Sequence, residues 1–304
     1  MRTAWLFPGQ GSQIVGMGKA LAGAYPIATR TYEEASEAIG LDLRALCFDG
    51  PQAELDRTAN AQPAILTTSI AAVRVALEEG LAADDPLCLG HSLGEFSALV
   101  AAGALTLADA VLLVRRRGEL MQQADPSGGM AAVIGLDADV VARAIEGTGL
   151  VVANDNAPGQ VVISGPLAAF AAATTPLKAA GAKRVLPLRV STAFHSPAMR
   201  SVVPELAKAI AATPFSELRY TVIANVDAEP HEHARDFPAL LERQVWSPVR
   251  WVASMRRAHG EGATHFAEFG AGAVLAGLAK RIVPGCTTAN VSDPASLEEA
   301  LRVR

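Results

Sequence analysis

Disulfide formation, membrane insertion and nucleic-acid binding find little to work with in this sequence. Three cysteines occur in 304 residues, Cys47, Cys88 and Cys286. They are odd in number and far apart, so they make neither a disulfide framework nor a CxxC metal pair. No stretch of eighteen apolar residues is present to span a bilayer. The opening, Trp5-Leu6-Phe7-Pro8-Gly9, lacks the basic flank, apolar core and small-residue cleavage site of a secretion signal. Lys and Arg number 26 against 31 Asp and Glu, a formal charge of -5, and no basic block is longer than Arg115 to Arg117. That charge gives no footing for nucleic acid or an anionic membrane. A cytoplasmic protein that binds neither is the expectation.

What is present is the balance of a packed globular chain, 50% hydrophobic and 19% charged, long enough for a main domain and a smaller one. A short apolar strand is expected at 4 to 7, breaking at the glycine-rich loop Pro8-Gly9-Gln10-Gly11-Ser12. Helical patterns follow at 17 to 38 and 62 to 80. A buried strand at 87 to 89, a turn at Gly90-His91-Ser92 and a helix over 93 to 102 make a strand–turn–helix unit of an α/β protein. The next helix should start at Thr106, three residues before Asp109, and run toward Met121.

From residue 130 the texture changes. Strand-like 130–134, helix-like 139–146, strand-like 150–153 and 160–164, helix-like 167–180 and strand-like 183–190 give the order βαββαβ of a ferredoxin-like module. The expected division is therefore a large α/β domain from 1–127 and 192–304 and a small inserted subdomain over 128–191. Beyond it, Ser196-Pro197 should cap a helix reaching about 211. A strand at 220–224, helices at 237–244 and 249–259, a strand at 265–268 and a helix ending near Lys280 complete the reading.

Gly90-His91-Ser92-Leu93-Gly94 fits GxSxG, the elbow that pushes a serine hydroxyl outward from a sharp strand-to-helix turn. The following helix directs free N–H groups at the same place, with Leu93 N–H aimed at a developing oxyanion. A serine hydroxyl needs a base to take its proton. His195, between a strand end and the Ser196-capped helix, is the candidate among six histidines. His91 leaves the turn in another direction and is expected to pack or support. The group orienting His195 is left open among Asp227, Glu229, Glu268 and a backbone carbonyl. Arg117 shares a helical stripe with Ala110, Leu113, Val114 and Met121, where a charge requires a partner or a pocket.

Taken together, Gly9-Gln10-Gly11-Ser12-Gln13, Gly90-His91-Ser92-Leu93-Gly94-Glu95, Arg117-Gly118 with Met121-Gln122, Ala193-Phe194-His195-Ser196 and Phe269-Gly270-Ala271-Gly272 resemble the malonyl-CoA:acyl carrier protein transacylases, stand-alone polyketide acyltransferases included. The resemblance spans nearly the whole chain. It implies an α/β hydrolase-like parallel-sheet core with an inserted ferredoxin-like α+β subdomain, no bound cofactor or metal, malonyl-CoA as substrate and holo acyl carrier protein as partner. It also implies Ser92 as nucleophile and His195 as base, with the N–H groups of Gln10 and Leu93 as the oxyanion hole. Arg117 would hold the malonyl carboxylate and Asn225 would support the site. Arg250, in Pro248-Val249-Arg250-Trp251, would hold His195 through its backbone carbonyl. Ala193-Phe194-His195 resembles the malonyl-selecting form of that motif.

Overall fold

Ala4-Trp5-Leu6-Phe7 carries no charged side chain, and so apolar a strand needs both faces covered. In the computed structural model, which describes residues 2–81 and 85–302, these residues lie buried in β1 (Arg2–Phe7), inside a six-stranded sheet. The helix expected over 17–38 is two, α1 (Lys19–Ala24) and α2 (Pro26–Ile39). Pro26 has no N–H to continue the first and a preset φ to begin the second. The short α3 (Leu43–Asp49) and α4 (Gln52–Leu55) follow.

Helix α5 (Thr58–Glu78) starts ahead of the expected 62 and carries Pro63 inside it. Proline there removes the donor for the Ala59 carbonyl. Arg115 supplies a replacement, donating to that carbonyl at 3.2 Å from a neighbouring helix. The expected strand–turn–helix is β2 (Leu87–Gly90) and α6 (Gly94–Ala101). Next comes α7 (Leu107–Gln122), capped by the Thr106 hydroxyl, which accepts from the Asp109 N–H.

The chain then builds a second sheet from β3 (Gly128–Ile134), α8 (Ala138–Ala144), β4 (Val151–Ala157), β5 (Gln160–Pro166), α9 (Ala169–Ala179) and β6 (Arg184–Pro187). The strand order is β4-β5-β3-β6 with every neighbouring pair antiparallel. Val133, Val141, Ile145, Val161, Ile163 and Leu177 give it a core of its own. The chain leaves where it arrived: a Cβ at Gly128 would lie 2.8 Å from the Ala193 backbone nitrogen, and Thr192 donates to the Asp125 carbonyl.

The helix expected from 197 begins as a 3-10 segment, Pro197–Val202, and becomes α-helical only in α10 (Val203–Ala212). Pro204 cannot bond to the Arg200 carbonyl and its ring crowds it, and the Val203 N–H takes that carbonyl instead in a 3-10 bond, which favours the break here. The remaining elements are β7 (Val222–Ile223), β8 (Pro230–His231), α11 (Phe237–Gln244), α12 (Trp251–Gly260), β9 (Ala263–Phe269), α13 (Val274–Ile282), β10 (Thr287–Val291) and α14 (Pro294–Arg302). The main sheet runs β10-β9-β1-β2-β7-β8, parallel except for the last pair. The fold is thus an α/β hydrolase-like core carrying an inserted ferredoxin-like subdomain. Among the described residues, no helix is long and apolar enough to cross a membrane.

Candidate active site

Ser92 occupies a turn that sterics reserve for few residues. Its φ is 53°, in the left-handed region that costs a non-glycine residue about 1–3 kcal/mol unless the surroundings enforce it. The enforcement is visible. A Cβ at Gly90 would sit 1.8 Å from the Gly94 carbonyl carbon, and one at Gly94 would sit 2.0 Å from the Phe7 carbonyl oxygen. Both glycines are required for the elbow to close against β1. Asn225, just beyond β7, pins it from the other side: its side-chain oxygen accepts from the Ser92 N–H at 2.7 Å and its amide donates to the Gly90 carbonyl at 2.7 Å.

The Ser92 hydroxyl lies 2.7 Å from His195 Nε2. His195 is buried, also at positive φ (55°), immediately before the 3-10 segment capped by Ser196. Its Nδ1 is 3.0 Å from two backbone carbonyls, those of Gln244 and Ser247. Carbonyls only accept, so the proton sits on Nδ1 and the Nε2 lone pair faces Ser92. Burial, with Arg117 nearby, pushes the imidazole down to about 3 and keeps it neutral.

The carbonyl expected from Arg250 does not reach His195. Arg250 caps α12, which turns its carbonyl into the helix to accept from the Ser254 N–H at 2.9 Å. Its contribution is different: its N–H donates to the Asn225 carbonyl at 3.1 Å. Nor do Asp227, Glu229 or Glu268 orient the imidazole. Asp227 pairs with His231, Glu229 lies near Arg257, and buried Glu268 accepts from the Ala276 N–H at the start of α13.

Arg117 is 1% exposed. Its guanidinium donates to the side-chain oxygens of Gln62 and Gln244, each at 2.9 Å, and to the Ser92 hydroxyl at 3.2 Å. No carboxylate among the described residues forms an ion pair with it. Burial lowers its pKa to about 10, leaving it charged at neutral pH. Two neutral amides solvate this dry cation without balancing its charge.

Two backbone donors remain unspent. In the first turn of α6 the N–H groups of Gly94, Glu95 and Phe96 bond to the carbonyls of His91, Ser92 and Leu93, whereas those of Leu93 and Gln10 donate to no protein acceptor among the described residues. The Gln10 side chain donates to Thr58. His91 points away from Ser92, donating from Nε2 to Asn156 of β4 at 2.8 Å and packing on Trp251.

Sequence reasoning missed Gln244, Gln62, Glu95 and Asn156. For Gln244 the signal was available: with Phe237, Leu240 and Leu241 it completes the buried stripe of α11, and a polar residue on such a stripe requires a partner. It also ends its helix, where carbonyls lack intrahelical donors.

The loop after Asn225 is held by His231, whose ring nitrogens lie 3.2 Å from Asp227 and 3.3 Å from Asp236. The hydrogen bond to Asp227 raises the His231 pKa above 6.5 and the pairing lowers that of Asp227. A raised folded-state pKa gives stability that is complete below the unfolded value and is lost as pH rises through the folded one. The melting-temperature gap between wild type and His231→Ala should therefore be larger near pH 6 than near pH 9; a gap constant across that window contradicts the pairing.

A strand–elbow–helix unit on a parallel sheet, with a hydroxyl, a neutral imidazole and two free N–H groups, defines the class of serine acyl-transfer enzymes. A family model described as the acyl transferase domain matches residues 4–292. The Malonyl CoA-acyl carrier protein transacylase of Salmonella typhimurium is 46% identical over 304 residues, covering 98% of each chain. The crystal structure of an acyl carrier protein S-malonyltransferase from Vibrio cholerae is 42% identical with a TM-score of 0.95, covering 98% of this chain and 99% of that one. A malonyl-transacylase solved in complex with a type II PKS acyl-carrier protein is 41% identical with a TM-score of 0.96 over 100% of both chains. This chain belongs to the malonyl-CoA:acyl carrier protein transacylase family.

Proposed function

We propose that the protein moves a malonyl group from malonyl-CoA to the phosphopantetheine thiol of holo acyl carrier protein by a ping-pong route through malonyl-Ser92. The observation that carries this reading is the Ser92 hydroxyl lying between His195 Nε2 at 2.7 Å and the Arg117 guanidinium at 3.2 Å. His195 takes the hydroxyl proton as Ser92 Oγ attacks the thioester carbonyl. The free N–H groups of Leu93 and Gln10 receive the oxyanion. The C–S bond then breaks and His195 returns its proton to the departing coenzyme A thiol. In the second half the carrier thiol gives its proton to His195, attacks the acyl-serine, and Ser92 leaves with the proton restored. Negative charge brought by the malonyl carboxylate to Arg117 offsets the positive field that depresses His195, so the base strengthens when substrate is in place.

In this reading Asn225, with Arg250 behind it, holds the elbow, and His91 ties it to β4. Phe194, buried beside His195, disfavors a branched acyl group. The large domain comprises 1–127 and 192–304 and the small one 128–191, with Met1, residues 82–84 and residues 303–304 lying outside the described residues. The protein works in the cytoplasm with malonyl-CoA and carrier protein, without nucleic acid or membrane.

Arg117→Ala tests the substrate class. Losing one side of a buried charged pair costs about 3 to 5 kcal/mol, or roughly 10² to 10⁴ in rate. Malonyl transfer to carrier protein should fall by at least about tenfold even if water fills the gap, while acylation by acetyl-CoA holds or rises. An equal loss for both thioesters would make Arg117 structural, and malonate released mainly to water, with carrier protein present, would make the protein a hydrolase.

A further inference from the structure

Glu95 is fully buried just after Ser92, and the acyl-transfer steps give it no task. Its Oε2 accepts from the Asn225 N–H at 3.1 Å and from the Gln244 amide at 2.9 Å, whereas Oε1 has no hydrogen-bond partner. Such an orphaned carboxylate oxygen in a dry interior is costly and calls for a reason. The Gln244 amide that donates to Glu95 accepts from Arg117 on its other side at 2.9 Å. One planar amide thus spans a buried acid and a buried cation that make no direct contact.

We propose that Glu95 sets the charge of the carboxylate pocket: it is the counter-ion of Arg117 while the pocket is empty, and it takes up a proton when the malonyl carboxylate reaches the guanidinium. The inference rests on the malonyl reading given above. Two carboxylates close to one cation in a medium of low dielectric cannot both stay ionised cheaply. Arg117 of α7 faces Glu95 and favours its anion, while Asp227, in the loop after β7, opposes it. Burial already pushes the carboxyl up to about 7, so a further negative charge tips it to neutral near physiological pH. His195 stays neutral throughout that range. The proton comes from solvent and belongs on Oε1, leaving Oε2 free to keep its bonds to Asn225 and Gln244. Glu95 is therefore a positioning residue whose geometry survives the change in its charge.

The test counts protons. Ser92→Ala protein is titrated with malonyl-CoA near pH 7.5 by calorimetry, in two buffers of different ionisation enthalpy. Uptake of roughly half a proton is expected, as a group titrating near the working pH requires. Acetyl-CoA, with the same nucleotide phosphates, should cause none, and neither should malonyl-CoA with the isosteric Ser92→Ala/Glu95→Gln protein. In active wild type, KM for malonyl-CoA should rise by up to about tenfold between about pH 6.5 and 8.5, while KM for acetyl-CoA stays level and kcat follows no such slope. Glu95→Gln should flatten the malonyl profile. If that variant does not fold, the wild-type comparison of the two thioesters decides. Equal proton uptake with and without Glu95, or a malonyl KM that rises no more than the acetyl one, overturns the proposal while Ser92 is still acylated. Failure of malonyl-CoA to acylate Ser92 at all overturns instead the reading beneath it.

Discussion

Ser92→Ala protein incubated with labelled malonyl-CoA should carry no label, and transfer to carrier protein should fall by roughly 10⁶-fold, the loss seen when a serine working with a coupled base is removed. The size follows from the mechanism: with the hydroxyl gone there is no oxygen to hold the acyl group between the two thiols, and binding plus the free N–H groups supply only the residue of the rate. Peptide mapping of the wild type should locate the malonyl group on the peptide that contains Ser92. Label retained by the variant at the wild-type rate would remove Ser92 from the chemistry. The fold should persist, since the turn at φ 53° is enforced by Asn225 and by two glycines rather than by the hydroxyl.

His195→Ala should be nearly as damaging, lowering the rate of self-acylation by roughly 10⁴ to 10⁶-fold, because serine and base act as one unit and losing either forfeits most of their joint effect. Circular dichroism should be unchanged. Melting should shift only modestly, although the carbonyls of Gln244 and Ser247 lose the donor they share. Near-normal acylation of His195→Ala, combined with a silent His265→Ala or His91→Ala, would assign the base elsewhere. That outcome is opposed by the geometry: His265 bonds to Thr287 in the parallel pair β9–β10, and His91 donates away from Ser92 to Asn156.

How far these arrangements were legible in the sequence depended on whether a residue's surroundings lay nearby in the chain. The elbow was readable because GxSxG is a local steric demand, and Arg117 because a charge on an apolar helical stripe is conspicuous at any position. The ferredoxin-like order emerged from alternating strand and helix textures within one contiguous stretch. What failed was nonlocal. The residues leave the partner of the His195 imidazole open and the resemblance points to the Arg250 carbonyl, whereas the partners are a pair of carbonyls at a helix end and in the loop beyond it, set by backbone directions that no side chain advertises. The motif that contains Glu95 gives it no role, because its partners come from positions 130 and 149 residues away in the chain. The start of α5 was misplaced because the donor that tolerates Pro63 belongs to Arg115 of α7. β10 gave no apolar run, since at the sheet edge only Val291 is buried.

The contact between Gly128 and Ala193 bears on how the chain assembles. To pair β2 with β7 the backbone must close a very long loop, and the second sheet contributes about sixty residues of it, a length whose closing entropy grows with its logarithm. If that sheet forms first, from its own core and its antiparallel pairings, its two ends are brought side by side and those residues drop out of the loop as a single pinched-off knot of structure. The loop from Gly90 to Val222 is about 130 residues long, so taking about sixty of them out is roughly one halving and lowers the entropic barrier to closing the main sheet by about 0.6 kcal/mol. An insertion that looks like a burden on the larger domain is, for the folding chain, a shortcut.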